Sequence, residues 1–105
     1  MIKPARINVE KAYQKIKSKE ALLVCGYNDE EKFKAMQLEG AISFKEFESI
    51  LPELSKDQEI IFYCAWPQEA TSAGQAAKYI KLGYENTKAL AGGVEAWRKA
   101  GYPMR

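Results

Sequence analysis

The sequence predicts an α/β fold built on a parallel sheet that helices cover on both faces. Two continuous apolar segments, residues 21–25 and 59–64, are typical of buried strands in such sheets. Segments with helical periodicity and helix caps lie between the strand segments along the chain. Strands that alternate with helices favour parallel pairing, because each connection then crosses over the sheet.

The first half of the chain contains three predicted helices, and each is preceded by a residue suited to cap it. Ser43 also stands three residues before Glu46, which is the spacing of a capping box. The caps and helices are Asn8 before residues 9–18, Asp29 before a helix that ends at Met36, and Ser43 before a helix that ends ahead of Pro52. The strands predicted here are residues 21–25, which Gly26 ends, and residues 40–42.

The second half repeats the alternation of strands and helices around one cysteine. Cys64 ends an apolar strand segment, and a short loop leads from it into a helix that Gly83 caps. The predicted elements are a strand over residues 59–64, a helix over 71–82, a strand over 87–90 and a helix over 94–100. Gly92 and Gly93 permit the tight turn between the last two elements, because glycine tolerates positive φ.

Length and composition limit the chain to one ordinary globular domain. Its 105 residues leave no room for a second core, and 47% of them are hydrophobic. The net charge of +2, from 16 basic and 14 acidic residues, is too small to indicate a nucleic-acid surface. Residues 1–6 hold no apolar segment long enough for a signal peptide, and nothing approaches the ~20 apolar residues of a membrane span. We therefore expect a cytoplasmic monomer that binds neither nucleic acid nor membrane.

Cys64 is the candidate nucleophile. A sulfur between the carboxyl end of a strand and the amino end of a helix meets unpaired backbone N–H groups and the positive end of the helix dipole. Both favour the thiolate over the thiol. The chain contains no histidine, which excludes Cys–His and Ser–His pairs and histidine-containing metal sites. Cys25 also ends a predicted strand, so both sulfurs belong to the edge where sites form in parallel sheets.

The residues from Cys64 onward resemble the single-domain rhodanese family. Tyr63-Cys64 at a strand end is followed by Gly83-Tyr84, by Leu90-Ala91-Gly92-Gly93-Val94-Glu95-Ala96-Trp97 and by Ala100-Gly101-Tyr102-Pro103. The resemblance extends from Ile7 to Pro103 and implies a rhodanese-like three-layer α/β/α sandwich with a five-stranded parallel sheet. It also implies that Cys64 carries sulfane sulfur as a persulfide.

The loop after Cys64 departs from the family pattern. Family members carry a glycine and an arginine in this loop, whereas Cys64-Ala65-Trp66-Pro67-Gln68-Glu69-Ala70-Thr71 contains neither. Loop cations help family members to hold anionic donors, and this loop offers the carboxylate of Glu69 instead. Cys25-Gly26-Tyr27 stands where many members have Asp-Val-Arg, and the sequence indicates no chemical role for Tyr27.

The acidic neighbour Glu69 does not by itself prevent an anionic sulfur at Cys64. A carboxylate about 8 Å away opposes ionisation by roughly 0.5–2 kcal/mol. Each N–H hydrogen bond to the charged sulfur favours ionisation by about 1.5–3 kcal/mol, although Pro67 has no N–H to offer. Two or three converging loop amides are therefore enough to keep the sulfur ionised.

The predicted reaction is a double displacement through Cys64. Its thiolate takes the outer sulfur of a small donor and passes it to a small thiol, to cyanide or to a protein acceptor. No general base, cofactor or metal is required, because the thiolate is preformed. The residues expected to contact the substrate are Ala65, Trp66, Gln68, Glu69, Ala70 and Thr71. Trp66 either shields the persulfide from water, binds an apolar donor or packs against the base of the loop. Thr71 or Ser72 is expected to cap the next helix.

Two questions stay open at this point, namely the role of Cys25 and the function of the chain. Cys25 either resolves the Cys64 persulfide, by forming a disulfide or receiving the sulfur, or packs as a small hydrophobe. The chain itself is either a sulfurtransferase or a non-catalytic binding or thiol-sensing module, which the missing loop arginine favours. The sequence disfavours a phosphatase, which would need arginine as the sixth residue after the cysteine, where Ala70 stands.

Overall fold

In a computed structural model, which describes residues 4–65 and 70–104, the chain forms a five-stranded parallel sheet with helices on both faces. The strands are β1 (Ala5–Ile7), β2 (Ala21–Cys25), β3 (Ala41–Ile42), β4 (Glu59–Tyr63) and β5 (Thr87–Leu90). The helices are α1 (Val9–Lys17), α2 (Glu30–Ala35), α3 (Phe44–Ile50), α4 (Ala70–Lys81) and α5 (Gly93–Lys99), with a 3-10 turn over Leu51–Glu53. The strand order is β1-β5-β4-β2-β3.

Strand β4 lies at the centre of the sheet, and all of its residues are buried. It pairs with β2 along its full length, from Glu59 opposite Ala21 to Tyr63 opposite Cys25. Its other edge pairs with β5. The carboxyl ends of β2 and β4 therefore lie side by side, and Cys64 is the next residue beyond that edge.

The two faces of the sheet carry separate hydrophobic clusters, which gives the predicted three-layer α/β/α sandwich. Along β2, Leu23 and Cys25 belong to one cluster and Val24 to the other, as the two-residue period of a strand requires. The first cluster, under α1 and α5, includes Ile7, Ala12, Leu23, Cys25, Ile61, Tyr63 and Trp97. The second, under α3 and α4, includes Val24, Phe44, Phe47, Ile60, Phe62, Ala76, Tyr79 and Tyr84.

The three helix caps predicted in the first half of the chain, and most element bounds, are confirmed. Asn8 accepts a hydrogen bond from the N–H of Lys11, Asp29 from those of Glu31 and Lys32, and Ser43 from that of Glu46. Strand β1 is not among the strands that the residue pattern predicts, because it is short and only Ile7 in it is buried. Its pairing with β5 defines it as a strand.

Helix α4 begins at Ala70, one residue before the predicted start. Thr71 and Ser72 are therefore residues of its first turn, and the prediction that one of them caps the helix is wrong. With 12 residues, α4 is the longest helix in the described ranges. Neither it nor any other helix there is long and apolar enough to cross a bilayer.

A buried carboxylate joins three elements at the amino end of β4. The side chain of Glu59 is 6% exposed, and its two oxygens lie 2.7 Å from Nζ of Lys15 in α1 and 2.7 Å from Nζ of Lys88 in β5. Burial acts to raise the pKa of Glu59, but hydrogen bonds from the two ammonium groups outweigh it and hold that pKa below its usual value.

Candidate functional site

Cys64 directly follows β4 and is fully buried. Its Sγ lies 3.5 Å from the Oγ of Ser72, which is itself fully buried in the first turn of α4. The carbonyl oxygen of Cys64 accepts a hydrogen bond of 3.0 Å from the N–H of Val94 at the start of α5. The sulfur is thus held between a strand end and a helix start, and it faces a hydroxyl group.

Gly93 allows α5 to approach Cys64 closely. Its φ is +58°, and a Cβ at this position would collide with the carbonyl oxygen of Cys64. Gly92, immediately before it, has a φ of +78°. The prediction that these two glycines permit a tight turn through positive φ is confirmed, and the contact with Cys64 adds a second reason for glycine at position 93.

The end of β2 positions the first turn of α4. The N–H of Gly26 donates to the carbonyl oxygen of Tyr63 at 2.8 Å, and Nε2 of Gln75 donates to the carbonyl oxygen of Gly26 at 3.1 Å. A Cβ at Gly26 would lie 3.0 Å from the Tyr63 oxygen and 3.5 Å from Cα of Ser72. Glycine therefore lets β2, β4 and α4 meet next to Cys64. For Ser72 the sequence predicts only a capping role, as the alternative to Thr71, because its approach to the sulfur depends on this packing and not on neighbouring residues.

Tyr27 lies at the rim of the site, although the sequence indicates no role for it. Its hydroxyl oxygen accepts a hydrogen bond of 3.3 Å from the N–H of Ala65, the first residue after Cys64. Its half-buried ring packs against the first hydrophobic cluster. The Nζ of Lys32 in α2 lies 4.6 Å from the centroid of that ring, within cation–π range. The N–H of Ala65, one of the loop amides predicted to face the sulfur, therefore donates to the Tyr27 oxygen instead.

Cys25 lies at the same edge of the sheet in different surroundings. It is fully buried in the first cluster with Tyr63, whereas Cys64 contacts Ser72 of α4, a helix on the other face. Burial raises the pKa of the Cys25 thiol above its usual value, and hydrogen bonds from the Tyr27 backbone and the Tyr63 side chain only partly oppose that rise. This environment favours packing as the role of Cys25, while its role as a resolving thiol stays a prediction.

The other predicted site residues divide between described and undescribed parts of the chain. Ala65 is half-buried beside Cys64, and Ala70 and Thr71 begin α4. The predicted contacts of Trp66, Gln68 and Glu69 lie outside the described residues, as does Pro67.

Known proteins share this architecture. A rhodanese-related protein from Thermoplasma volcanium has a TM-score of 0.74 and 22% identity, over 96% of this chain and 97% of that chain. A rhodanese-like domain from an Anabaena protein has a TM-score of 0.79 and 16% identity, over 99% and 80% of the two chains. A human single-domain sulfurtransferase has a TM-score of 0.69 and 21% identity, over 91% and 96%. At these identities, the structural likeness shows the fold.

The family is shown by sequence comparison. Comparison with curated proteins gave no match. The sequence profile of the rhodanese-like domain, by contrast, matches residues 8–100, which include all five helices and every strand except β1. The chain therefore belongs to the rhodanese-like domain family.

Proposed function

We propose that this protein is a sulfurtransferase that carries sulfane sulfur as a persulfide on Cys64. The observation that carries the proposal is the position of the Cys64 sulfur, 3.5 Å from a hydroxyl in the first turn of the next helix. When the sulfur is a thiolate, the hydroxyl of Ser72 becomes the donor and stabilises the negative charge. The dipole of α4 acts in the same direction. A human sulfurtransferase with the same fold supports this reaction class.

The reaction consists of two displacements. In the first, the Cys64 thiolate attacks the outer sulfur of the donor, and the bond between the donor's two sulfurs breaks with its electron pair leaving on the remainder. With thiosulfate as the donor, that remainder is sulfite. In the second, a small thiolate, a protein thiolate or cyanide attacks the terminal sulfur, and the Cys64 thiolate is regenerated. In this proposal the protein is a monomer in the cytoplasm, where its thiols stay reduced.

The burial of Cys64 supports a rival function. A donor reaches this sulfur only after its surroundings open, because Cys64 is 0% exposed. A non-catalytic module that binds a partner or senses thiol oxidation would not need the surroundings of Cys64 to open in every reaction cycle. The two functions therefore differ in whether Cys64 gains a transferable sulfur.

The test is intact mass spectrometry of the reduced protein after incubation with thiosulfate, with inorganic polysulfide and with a low-molecular-weight persulfide. We expect a gain of one sulfur atom with at least one donor, and its removal as thiocyanate when cyanide is added. Cys64→Ala should gain nothing, whereas Cys25→Ser should still gain one sulfur. The rival function stands instead if no donor adds sulfur to Cys64 of the folded protein.

A further inference from the structure

We propose that Tyr27 and Lys32, which lie outside the loop, select anionic sulfur donors. In this inference, the Tyr27 hydroxyl donates a hydrogen bond to the anionic group of the donor, and the Lys32 ammonium attracts its charge. The inference rests on the proposed function of Cys64. It also explains how the site could hold an anion without a cation in the loop, because residues 64–71 contain no lysine or arginine and one carboxylate.

The hydroxyl of Tyr27 has a proton available for a ligand. Its oxygen already accepts the N–H of Ala65 at 3.3 Å. A phenol that accepts one hydrogen bond still has its own O–H to donate. Across residues 4–65 and 70–104, no acceptor takes that proton. Because Ala65 is bonded to Cys64, the hydroxyl lies beside the backbone of the residue that follows the nucleophile candidate.

Lys32 supplies a positive charge from a neighbouring helix. Its exposed ammonium group lies 4.6 Å from the centroid of the Tyr27 ring. Within the described ranges it forms no ion pair, although Glu30 and Glu31 are exposed on the same helix. The carboxylate of Asp29 accepts the backbone N–H groups at the start of α2. Lys32 and Tyr27 together can therefore provide a cation and a hydrogen-bond donor at one side of the site.

The chain contains a second tyrosine–lysine pair that serves as an internal control. Tyr13 is also half-buried, and the Nζ of Lys17 lies 5.3 Å from its ring centroid. The ring of Tyr13 stacks on Tyr102 and meets Trp97 edge-on. Its hydroxyl makes no hydrogen bond to any described residue of the loop. The two pairs thus share their chemistry and differ in their contact with the loop.

The experiment compares two persulfide donors that transfer the same group but differ in charge. The persulfide of 3-mercaptopropionate carries a carboxylate and is called the anionic donor, and the persulfide of cysteamine carries an ammonium group and is called the cationic donor. With either one, the Cys64 thiolate takes the outer sulfur together with its proton, and the donor leaves as its thiolate. The measured quantity is the ratio of the two rates at which Cys64 gains one sulfur, followed by intact mass.

We expect the wild-type protein to prefer the anionic donor. Tyr27→Phe should slow the reaction with that donor by about tenfold to a hundredfold. Lys32→Gln should lower the anionic-to-cationic ratio about twofold to tenfold. Tyr13→Phe and Lys17→Gln should leave the ratio unchanged.

Two results would overturn the inference, and they are distinguishable. If Tyr27→Phe and Lys32→Gln keep the wild-type ratio while Cys64 still gains sulfur, donor selection lies elsewhere and the proposed function is intact. If wild-type Cys64 gains sulfur from neither donor, the proposed function fails and the inference fails with it. Tyr27→Phe retains the aromatic ring that packs on the core, so loss of folding does not account for a changed ratio.

Discussion

The two ends of the parallel sheet surround their ionisable groups in different ways. At the amino end, the carboxylate of Glu59 lies 2.7 Å from each of two ammonium groups, so fixed partners neutralise its charge. At the carboxyl end, the sulfur of Cys64 faces the hydroxyl of Ser72 at 3.5 Å. A hydroxyl stabilises an anion without neutralising it, and the anion remains a nucleophile. We therefore expect changes at the amino end to affect stability alone, whereas changes at the carboxyl end can also affect transfer.

The largest effect should separate the two cysteines at the carboxyl end. Both are 0% exposed, but Cys25 lies within a paired strand and Cys64 lies just beyond one. Labelling of Cys25 therefore requires opening of the central sheet, which costs nearly the whole free energy of unfolding. We expect iodoacetamide to label Cys64 at least about a thousandfold faster than Cys25, as followed by peptide mass. Equal labelling rates would show that the two sulfurs do not differ in the way the structure implies.

The next effect concerns the close approach of α5 to Cys64. Gly93→Ala should lower the free energy of unfolding by about 2–4 kcal/mol, because it combines positive φ with a collision against the Cys64 carbonyl. Gly101→Ala is the matched control, since Gly101 has a φ of +79° but open space where a Cβ would be added. That change should cost only about 1 kcal/mol. Urea unfolding followed by circular dichroism measures the free energy of unfolding of both variants. Equal decreases would mean that the contact with Cys64 does not contribute to the cost of Gly93→Ala.

A third prediction tests the hydroxyl that faces the sulfur. In the proposed reaction, Ser72→Ala removes a hydrogen bond to the thiolate, and a hydrogen bond to a charged group is worth about 1.5–3 kcal/mol, so sulfur transfer should slow about tenfold to a hundredfold. Ser49→Ala is the control, because the Ser49 hydroxyl donates to its own helix, at the Glu46 carbonyl oxygen. Thiocyanate formation from the Cys64 persulfide and cyanide gives the rate. An unchanged rate in Ser72→Ala would remove the hydroxyl from the mechanism.

The smallest predicted effect lies at the amino end. Glu59→Gln should lower the free energy of unfolding by about 1–2 kcal/mol at neutral pH, a modest loss because both lysines are partly exposed. Sulfur transfer by the folded variant should not change.

This effect depends on pH in a defined direction. Because the folded-state pKa of Glu59 lies below its usual value of 4.5, its contribution is complete above 4.5 and disappears as the pH falls through the folded-state value. Acidification should therefore destabilise the wild-type protein more than Glu59→Gln, as urea titrations at neutral and acidic pH would show. A constant difference between the two proteins would exclude the ion pairs as its source.

Most of the fold could be predicted from local sequence signals. Strand β2 is a continuous apolar segment, and Asn8, Asp29 and Ser43 cap their helices as their positions indicate. Strand β1 has no comparable signal, because it contains an exposed arginine and acquires its identity from pairing with β5. The sequence also indicates Cys64 as the nucleophile candidate, since a cysteine between strand and helix is a local feature.

The surroundings of Cys64 could not be predicted from local sequence signals. Ser72 is eight residues further along the chain and Tyr27 belongs to another strand end, so their proximity depends on how β2, β4 and α4 pack. The sequence alone determined the alternation of strands and helices, the caps and the position of the sulfur, because each follows from neighbouring residues. Only the tertiary structure decided that the Ser72 hydroxyl faces that sulfur, that the Tyr27 hydroxyl accepts the next backbone N–H, and that Cys25 packs in the cluster on the other face of the sheet from Ser72. Those contacts join segments that are distant in sequence, and close packing around glycines brings them together.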